Sequence, residues 1–521
     1  MRAGKKLKAI AASAAMALVI GACAGGGAGG SSSGSSSGKA KSAIAPIEAP
    51  MPAVPEGLAR YYSQGVTWKE CGDGLECGRY TVPLNYAEPS GKVIHIAVTR
   101  RAADKERVGA LLVNPGGPGG AGQELAEIAE AYFPQPITDH FDIIGFDPRG
   151  VGESEPVDCV SDAELSRLLE ASYPDTPAGQ AASMKDAQVL AAGCEAKSGE
   201  LLPFVGTENA ARDMDIIRHV EGDPKLYYVG FSYGTSLGAE YADLFPDRVG
   251  RMVLDGAVAS RGTNYEAMKQ QLMGFENALD MYLKDCLENN AQRCPFKGSV
   301  ADAREQIAKL FEQALREPLP TSDPDRPLTE SGLLYGIVTP LYSAAYSILT
   351  NAFSDLIEDG DASAFYTLFD AYLERDSGKF LSNSMEANFA INCADYPAEG
   401  DEADWREYTE DLKQAAPLFG PVYGYNDAVC AAWPYQAPKR LGNYEAKGSD
   451  PIVVLGTSGD PATPYVWAQD LADSLDNAVL VTWEGEGHTA YTRSTDCISD
   501  PVNAYLLSGV IPEDGLTCSA K

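Results

Sequence analysis

No stretch of this chain constrains its folding more than residues 226–245. The apolar run LYYV passes directly into Gly230-Phe231-Ser232-Tyr233-Gly234, and TSLGAEYADLF follows with apolar residues at helical spacing. Glycines stand where the sharp turn crowds the backbone, because a Cβ at either position would press on the neighbouring strand or helix. Ser232 is thereby held out at the end of a strand, with the N–H groups of the next helix turned toward any negative charge that develops there. A strand-turn-helix unit of this kind needs a sheet to sit in. The runs GALLVNPGG, FDIIGFD, RMVLDGAV, PIVVLGTSGD and AVLVTWEG each read as a buried parallel strand. Amphipathic stretches such as ENAARDMDIIRHVEG lie between several of them, so strand and helix alternate around a mostly parallel sheet covered on both faces. Earlier, YTVPLNY and VIHIAVTR alternate in polarity and predict two antiparallel strands joined through AEPSGK.

The rhythm breaks after Val258. From there to Ser449 the pattern is helical without strong strands, as in NALDMYLKDCLEN and ADAREQIAKLFEQALRE, and strand signals resume at Pro451. The sequence therefore predicts a core in two pieces, 61–258 and 450–521, with a large, mainly helical cap inserted at 259–449. A chain of 521 residues that is 45% hydrophobic has the apolar material for one such domain with an insertion.

A serine hydroxyl attacks only if a base takes its proton, and the chain holds four histidines. His95 falls in the alternating hairpin, His140 precedes FDIIGFD, and His219 lies on the helix before the Ser232 strand. His488 follows AVLVTWEG in the loop GEGHT, on the C-terminal edge where sheets of this type bind ligands. His488 is the expected base. Asp460 ends PIVVLGTSGD on the same edge and is the expected third group, ahead of Asp255 and Asp470; the order Ser232, Asp460, His488 is the one this sheet architecture uses. Acyl transfer also needs two N–H donors for the tetrahedral oxyanion. Tyr233 supplies one. The loop Asn114-Pro115-Gly116-Gly117-Pro118-Gly119-Gly120 supplies the other, with Gly117 favoured over Gly116. That loop lacks the lysine and spacing of a phosphate-binding loop, so a nucleotide site is not expected. No cofactor and no metal is expected either, since no CxxC pair exists and histidines are few.

The ends of the chain carry separate information. Arg2, Lys5, Lys6 and Lys8 head an apolar stretch reaching Ile20, followed by Gly21-Ala22-Cys23. Residues 1–22 read as an export signal and Cys23 as a lipidated first residue, with plain cleavage after Ala22 as the alternative. Residues 23–60, opening on Gly, Ser and Ala, read as a flexible tether. The remaining ten cysteines suit an oxidising compartment and five disulfides, with neighbours pairing in sequential order. The formal charge of −33 repels nucleic acid and anionic bilayer surfaces, leaving the N-terminal lipid as the one membrane contact expected. Nothing in the sequence sets the oligomeric state.

Taken together, NPGGPGG, FDPRGVGES, GFSYG, LDG, GDPATP, GEGHT and INCADYP resemble the actinobacterial tripeptidyl aminopeptidase-like serine hydrolases, relatives of the proline iminopeptidases and often cell-envelope lipoproteins. The likeness runs from about Tyr61 to Cys518. It implies the α/β-hydrolase fold, Ser232 as nucleophile, Asp460 as acid, His488 as base, Gly117 and Tyr233 as oxyanion donors, and release of short peptides from a free N-terminus. The proline iminopeptidase loop begins with His where this chain has Pro115, which speaks against proline-specific release of single residues. A cap carboxylate is expected to meet the substrate ammonium, with Asp395 as the candidate. An esterase or lipase, or an endoprotease, would use the same triad, and a non-catalytic envelope binding protein could keep the fold.

Overall fold

A computed structural model describes residues 44–520; the expected signal, Cys23 and the Gly/Ser-rich stretch lie outside the described residues. Ten strands form one sheet: β1 Lys69–Gly72, β2 Leu75–Pro83, β3 Val93–Arg101, β4 Gly109–Asn114, β5 Phe141–Phe146, β6 Leu226–Phe231, β7 Val249–Asp255, β8 Ile452–Gly459, β9 Ala478–Glu486 and β10 Leu516–Ser519. Their order is β1-β2-β3-β5-β4-β6-β7-β8-β9-β10. The first three strands run antiparallel, and from β5 to β10 every pairing is parallel. All residues of β4, β5, β6 and β7 are buried, which is why these strands read as unbroken apolar runs rather than alternating ones.

Helices cover both faces, as two separate apolar clusters record. One gathers Met214, Ile217, Leu237 and Tyr241 from helices Thr207–Val220 and Tyr233–Leu244 against Leu112, Tyr228 and Val454. The other gathers Ile137, Ile498 and Leu506 from helices Gln135–His140 and Asp496–Ser508 against Leu111, Val253 and Leu455. The chain between β7 and β8 builds a third cluster of its own around Leu279, Ile307, Ile337 and Phe353. Its helices start where the sequence caps them: Thr263 with Glu266, Ser299 with Asp302 and Asp401 with Asp404 form reciprocal capping boxes.

Two features go beyond the sequence reading. The helices Asp162–Glu170 and Pro177–Ser198, which leave the core between β5 and β6, join the cap layer: Arg375 pairs with Glu170 at 2.5 Å, and Ala187 packs with Trp405 and Ala428. Residues 44–60, expected as the end of the tether, instead lie along the N-terminal edge of the sheet. The Ile47 N–H donates to the Tyr227 hydroxyl at 2.7 Å, Arg251 donates to the Ala45 carbonyl at 3.0 Å, and Leu58 is buried. Apolar Ile47 and Leu58 and main-chain hydrogen bonds hold this stretch down.

The cysteines pair as Cys71–Cys77, Cys159–Cys194, Cys286–Cys294, Cys393–Cys430 and Cys497–Cys518, in sequential order. No helix among the described residues is long and apolar enough to cross a membrane.

Candidate active site

Ser232 occupies the turn between β6 and the helix Tyr233–Leu244 with φ +55° and ψ −125°, a backbone conformation that costs energy for any residue with a Cβ. The turn is held from both sides. The Ser232 N–H donates to the Asp255 carbonyl at 2.9 Å, and its own carbonyl accepts the Thr235 N–H at 2.8 Å and hydroxyl at 2.6 Å. A Cβ on Gly230 would run into the Gly234 carbonyl, and one on Gly234 would meet the Asn114 carbonyl at 2.9 Å. The two glycines are there because strand and helix touch.

His488 lies two residues past β9, and Asp460 immediately follows β8. The His488 Nδ1 is 2.9 and 3.0 Å from the two Asp460 carboxylate oxygens. The carboxylate also accepts the N–H groups of Ala462 (2.9 Å), Thr463 (2.8 Å) and Thr489 (3.2 Å) and the Thr463 hydroxyl (2.8 Å), which fixes its orientation against the ring. With Nδ1 donating to the carboxylate, the neutral ring presents Nε2 as a proton acceptor. Nε2 is buried and has no hydrogen-bond partner among the described residues.

Asp255 and Gly256, at the end of β7, connect the histidine to the serine. The Asp255 carbonyl holds the Ser232 N–H, while its buried carboxylate accepts the N–H groups of Ala490 (3.0 Å) and Tyr491 (2.8 Å), just beyond His488. Burial pushes the Asp255 carboxyl up to about 6, with those two N–H donors opposing the rise. Gly256 touches the histidine itself: a Cβ there would lie 3.1 Å from His488 Cε1. Asp255, a competitor of Asp460 in the sequence, thus braces the loop rather than the ring.

The glycine loop after β4 reaches the same point. A Cβ on Gly116 would fall 2.8 Å from Ser232 Cβ and 3.1 Å from the Tyr233 nitrogen. The Gly116 N–H is already used, donating to Asn114 Oδ1 at 3.0 Å, whereas Gly117 has no N–H acceptor among the described residues and lines the cavity over Ser232. Tyr233 opens its helix, so its N–H has no intrahelical partner. The cap steadies this loop: Asn388 Nδ2 donates to the Pro118 carbonyl at 2.9 Å.

A cavity of about 390 Å³ opens over Ser232, Gly117 and Tyr233, walled by Tyr335, Tyr342, Tyr372 and Phe389 of the cap and by several amides. Among the described residues lining it, Asp427 is the one carboxylate and Arg440 the one cation. Asp395 is not there. It is buried at the end of helix Ser384–Asp395, where it accepts the Thr207 N–H at 2.8 Å and hydroxyl at 2.5 Å; that hydroxyl in turn meets the Tyr233 hydroxyl. Its expected meeting with a substrate ammonium is therefore corrected: the carboxyl supports Tyr233 from behind, and burial pushes it up to about 7. His95 sits exposed on β3, His140 ends the helix before β5 and donates from Nδ1 to the Glu106 carbonyl at 2.9 Å, and His219 packs edge-on against Tyr62; none of them lines the cavity. Asp470 lies on helix Tyr465–Ser474.

Four participants escaped sequence reasoning. Thr463 bridges Asp460 and His488 Nδ1, the latter at 3.1 Å. Tyr342 of the cap accepts the His488 N–H on its carbonyl at 2.7 Å. Asp427 and Arg440 reach the cavity from the last part of the cap. The proximity of Thr463 to Asp460 in GDPATP was the one available signal; the other three depend on chain packing.

The chain matches families already known. Residues 109–294 match the model described as alpha/beta hydrolase fold, and residues 416–518 match the one described as TAP-like protein. The chain is similar to serine protease Hip1 of Mycobacterium tuberculosis, with 36% identity over 478 residues covering 87% of this chain and 91% of the relative. It is 33% identical over 470 residues to carboxylesterase B of Mycobacterium tuberculosis, covering 87% and 90% of the two chains. It is 32% identical over 490 residues to tripeptidyl aminopeptidase of Streptomyces lividans, covering 88% of each.

Proposed function

The chain belongs to the tripeptidyl aminopeptidase-like serine hydrolases of the α/β-hydrolase fold, and from that premise we propose that it is an exported serine peptidase that removes short peptides from a free N-terminus. The observation that carries the reading is the Asp460–His488 pair, whose Nε2 has no partner among the described residues and whose loop is braced by Asp255 and Gly256 beside the strained Ser232.

In this reading His488 takes the Ser232 proton as the oxygen attacks the scissile carbonyl, and Asp460 stabilises the imidazolium that forms. The N–H groups of Gly117 and Tyr233 receive the oxyanion. His488 then gives the proton to the leaving amine, water enters, and the same two steps in reverse roles release the acyl product. Asp427, whose Oδ2 accepts the Glu399 N–H at 2.9 Å, replaces Asp395 as the carboxylate that meets the substrate ammonium. The disulfides favour an oxidising compartment, and Cys23 is the site proposed for the lipid; Cys23→Ala should move the protein from the membrane fraction to the medium.

The test is a parallel assay of peptide anilides with free and with acetylated N-termini, alongside short acyl esters, since one relative is named a carboxylesterase. The reading expects turnover of the free-amine peptides, fluorophosphonate labelling, and loss of both in Ser232→Ala with unfolding nearly unchanged. Equal cleavage of blocked peptides would replace it with an endoprotease, and turnover of esters alone with an esterase.

A further inference from the structure

Arg440 stands apart from most of the described arginines, which sit on carboxylates, as Arg149 does on Asp213 and Arg375 on Asp370 and Glu170. No carboxylate among the described residues lies within ion-pair distance of Arg440, although the chain carries a formal charge of −33. Its guanidinium is held instead by neutral oxygens: Nε donates to Asn264 Oδ1 at 3.2 Å, Nη1 to the Leu441 carbonyl at 2.9 Å and Nη2 to the Ala259 carbonyl at 3.5 Å. Its Cζ lies 5.2 Å from the centre of the Tyr396 ring. A guanidinium has five N–H donors, so one on each terminal nitrogen is left without an acceptor among the described residues.

The holding groups are themselves fixed. Asn264 opens the cap helix Asn264–Glu288, its side chain donates to the Pro397 carbonyl at 2.9 Å, and its N–H donates to Glu399 at 2.9 Å. Ala259 follows Val258, whose N–H donates to Thr235 Oγ1 at 3.0 Å in the first turn after Ser232. Arg440 and Ser232 line the same cavity. Two carboxyls that influence the same Tyr396 ring, Asp395 and Glu240, are both pushed up to about 7 by burial, and neither bonds the guanidinium among the described residues. A cation kept in place by neutral oxygens, with a planar pair of donors free, is preorganised for a carboxylate.

We propose that Arg440 is a specificity-determining residue that receives a carboxylate of the substrate, so that acidic peptides are the preferred class. This rests on the peptidase reading of the Ser232 site. The carboxylate can come from an Asp or Glu side chain on the acyl side of the scissile bond or from the free C-terminus of a short peptide.

The test compares kcat/KM for wild type, Arg440→Gln, Arg440→Lys and Arg440→Glu in two arms. One arm uses free-amine tripeptide anilides with Glu or Gln at each of the three positions; the other uses tetrapeptides as free acids or C-terminal amides. Wild type should favour the acidic member of at least one arm by about 10- to 100-fold, the range of a charge-assisted pair. Arg440→Gln should bring that ratio near one, Arg440→Lys, which keeps the charge without the planar fork, should keep only part of it, and Arg440→Glu should invert it toward the Gln or amide member. Each ratio is taken within one preparation, so a partly folded variant still reports it. Wild type without preference in both arms, or an unchanged ratio in Arg440→Gln, overturns the proposal. If wild type cleaves no peptide, the peptidase reading falls by itself; the same ratio is then read from nitrophenyl hemiglutarate against nitrophenyl butyrate, and its insensitivity to Arg440→Gln would sink the carboxylate site too.

Discussion

At Gly116 the backbone runs at φ +101°, and an added Cβ would come within 2.6 Å of the Phe231 carbonyl and 2.8 Å of Ser232 Cβ. Neither neighbour can yield, because both belong to the turn that presents the hydroxyl. Gly116→Ala should lower kcat by about 100-fold or more, the scale of a 1 Å misplacement at a reacting centre, and the rate of fluorophosphonate labelling should fall with it. A labelling rate equal to wild type would show that the loop has room. Asp427 gives a second expectation at this scale. Burial pushes its carboxyl up to about 6, with the Glu399 N–H opposing the rise and the Glu399 charge adding to it. Below that pH the carboxyl is protonated and loses its attraction for a substrate ammonium, so KM for free-amine peptides should climb as pH falls through about 6. In Asp427→Asn, KM should be raised throughout and nearly flat over the same range; a retained pH dependence would assign the titration elsewhere. That Ser232, Asp460 and His488 fall on one sheet edge was legible, because each follows a strand. Asp395 misled for an equally local reason: a carboxylate in NCADYP reads as a cap group, and only packing reveals that it faces Thr207.

The elements of the cap do more than cover the cavity. The turn after helix Glu330–Leu341 places the Tyr342 carbonyl where it accepts both the His488 N–H at 2.7 Å and Arg493 Nη1 at 3.2 Å, and Arg493 also donates to the His488 carbonyl at 2.5 Å. The Tyr342 ring meets the imidazole edge-on at 5.6 Å. Cap and histidine loop are therefore one mechanical piece. Arg493→Met removes the two donors but keeps the bulk; kcat should drop about tenfold or more with KM little changed, and hydrogen exchange should accelerate in residues 487–493. Unaltered exchange there would mean that the main-chain bond from His488 suffices. Helix positions in the cap were legible from periodicity and capping residues. Which helix would touch the histidine was not, since neither amphipathicity nor length says what a helix end will meet.

For the molecule as a whole, several buried carboxyls are raised rather than lowered: Asp395 and Glu240 to about 7, Asp255 to about 6. Desolvation leads in each case. Between the ordinary carboxyl range and those values each of these groups holds more proton in the folded state than in the unfolded one, so its contribution to stability falls as pH rises from about 4 to 7. Asp395→Asn cannot titrate, and the gap in unfolding free energy between pH 4.5 and 7.5 should shrink on the order of 1–3 kcal/mol relative to wild type. An undiminished gap would remove Asp395 from the account. The mostly parallel sheet was set out in the sequence, because burial on two faces writes continuous apolar runs and a sharp turn demands glycine. Sequential pairing of the cysteines was legible too. The cavity was decided by tertiary structure alone. Its wall comes from Arg440, Asp427 and Tyr342, separated along the chain from Ser232 and from one another, and what brings such residues together is the packing of the helices, to which no local pattern is a guide.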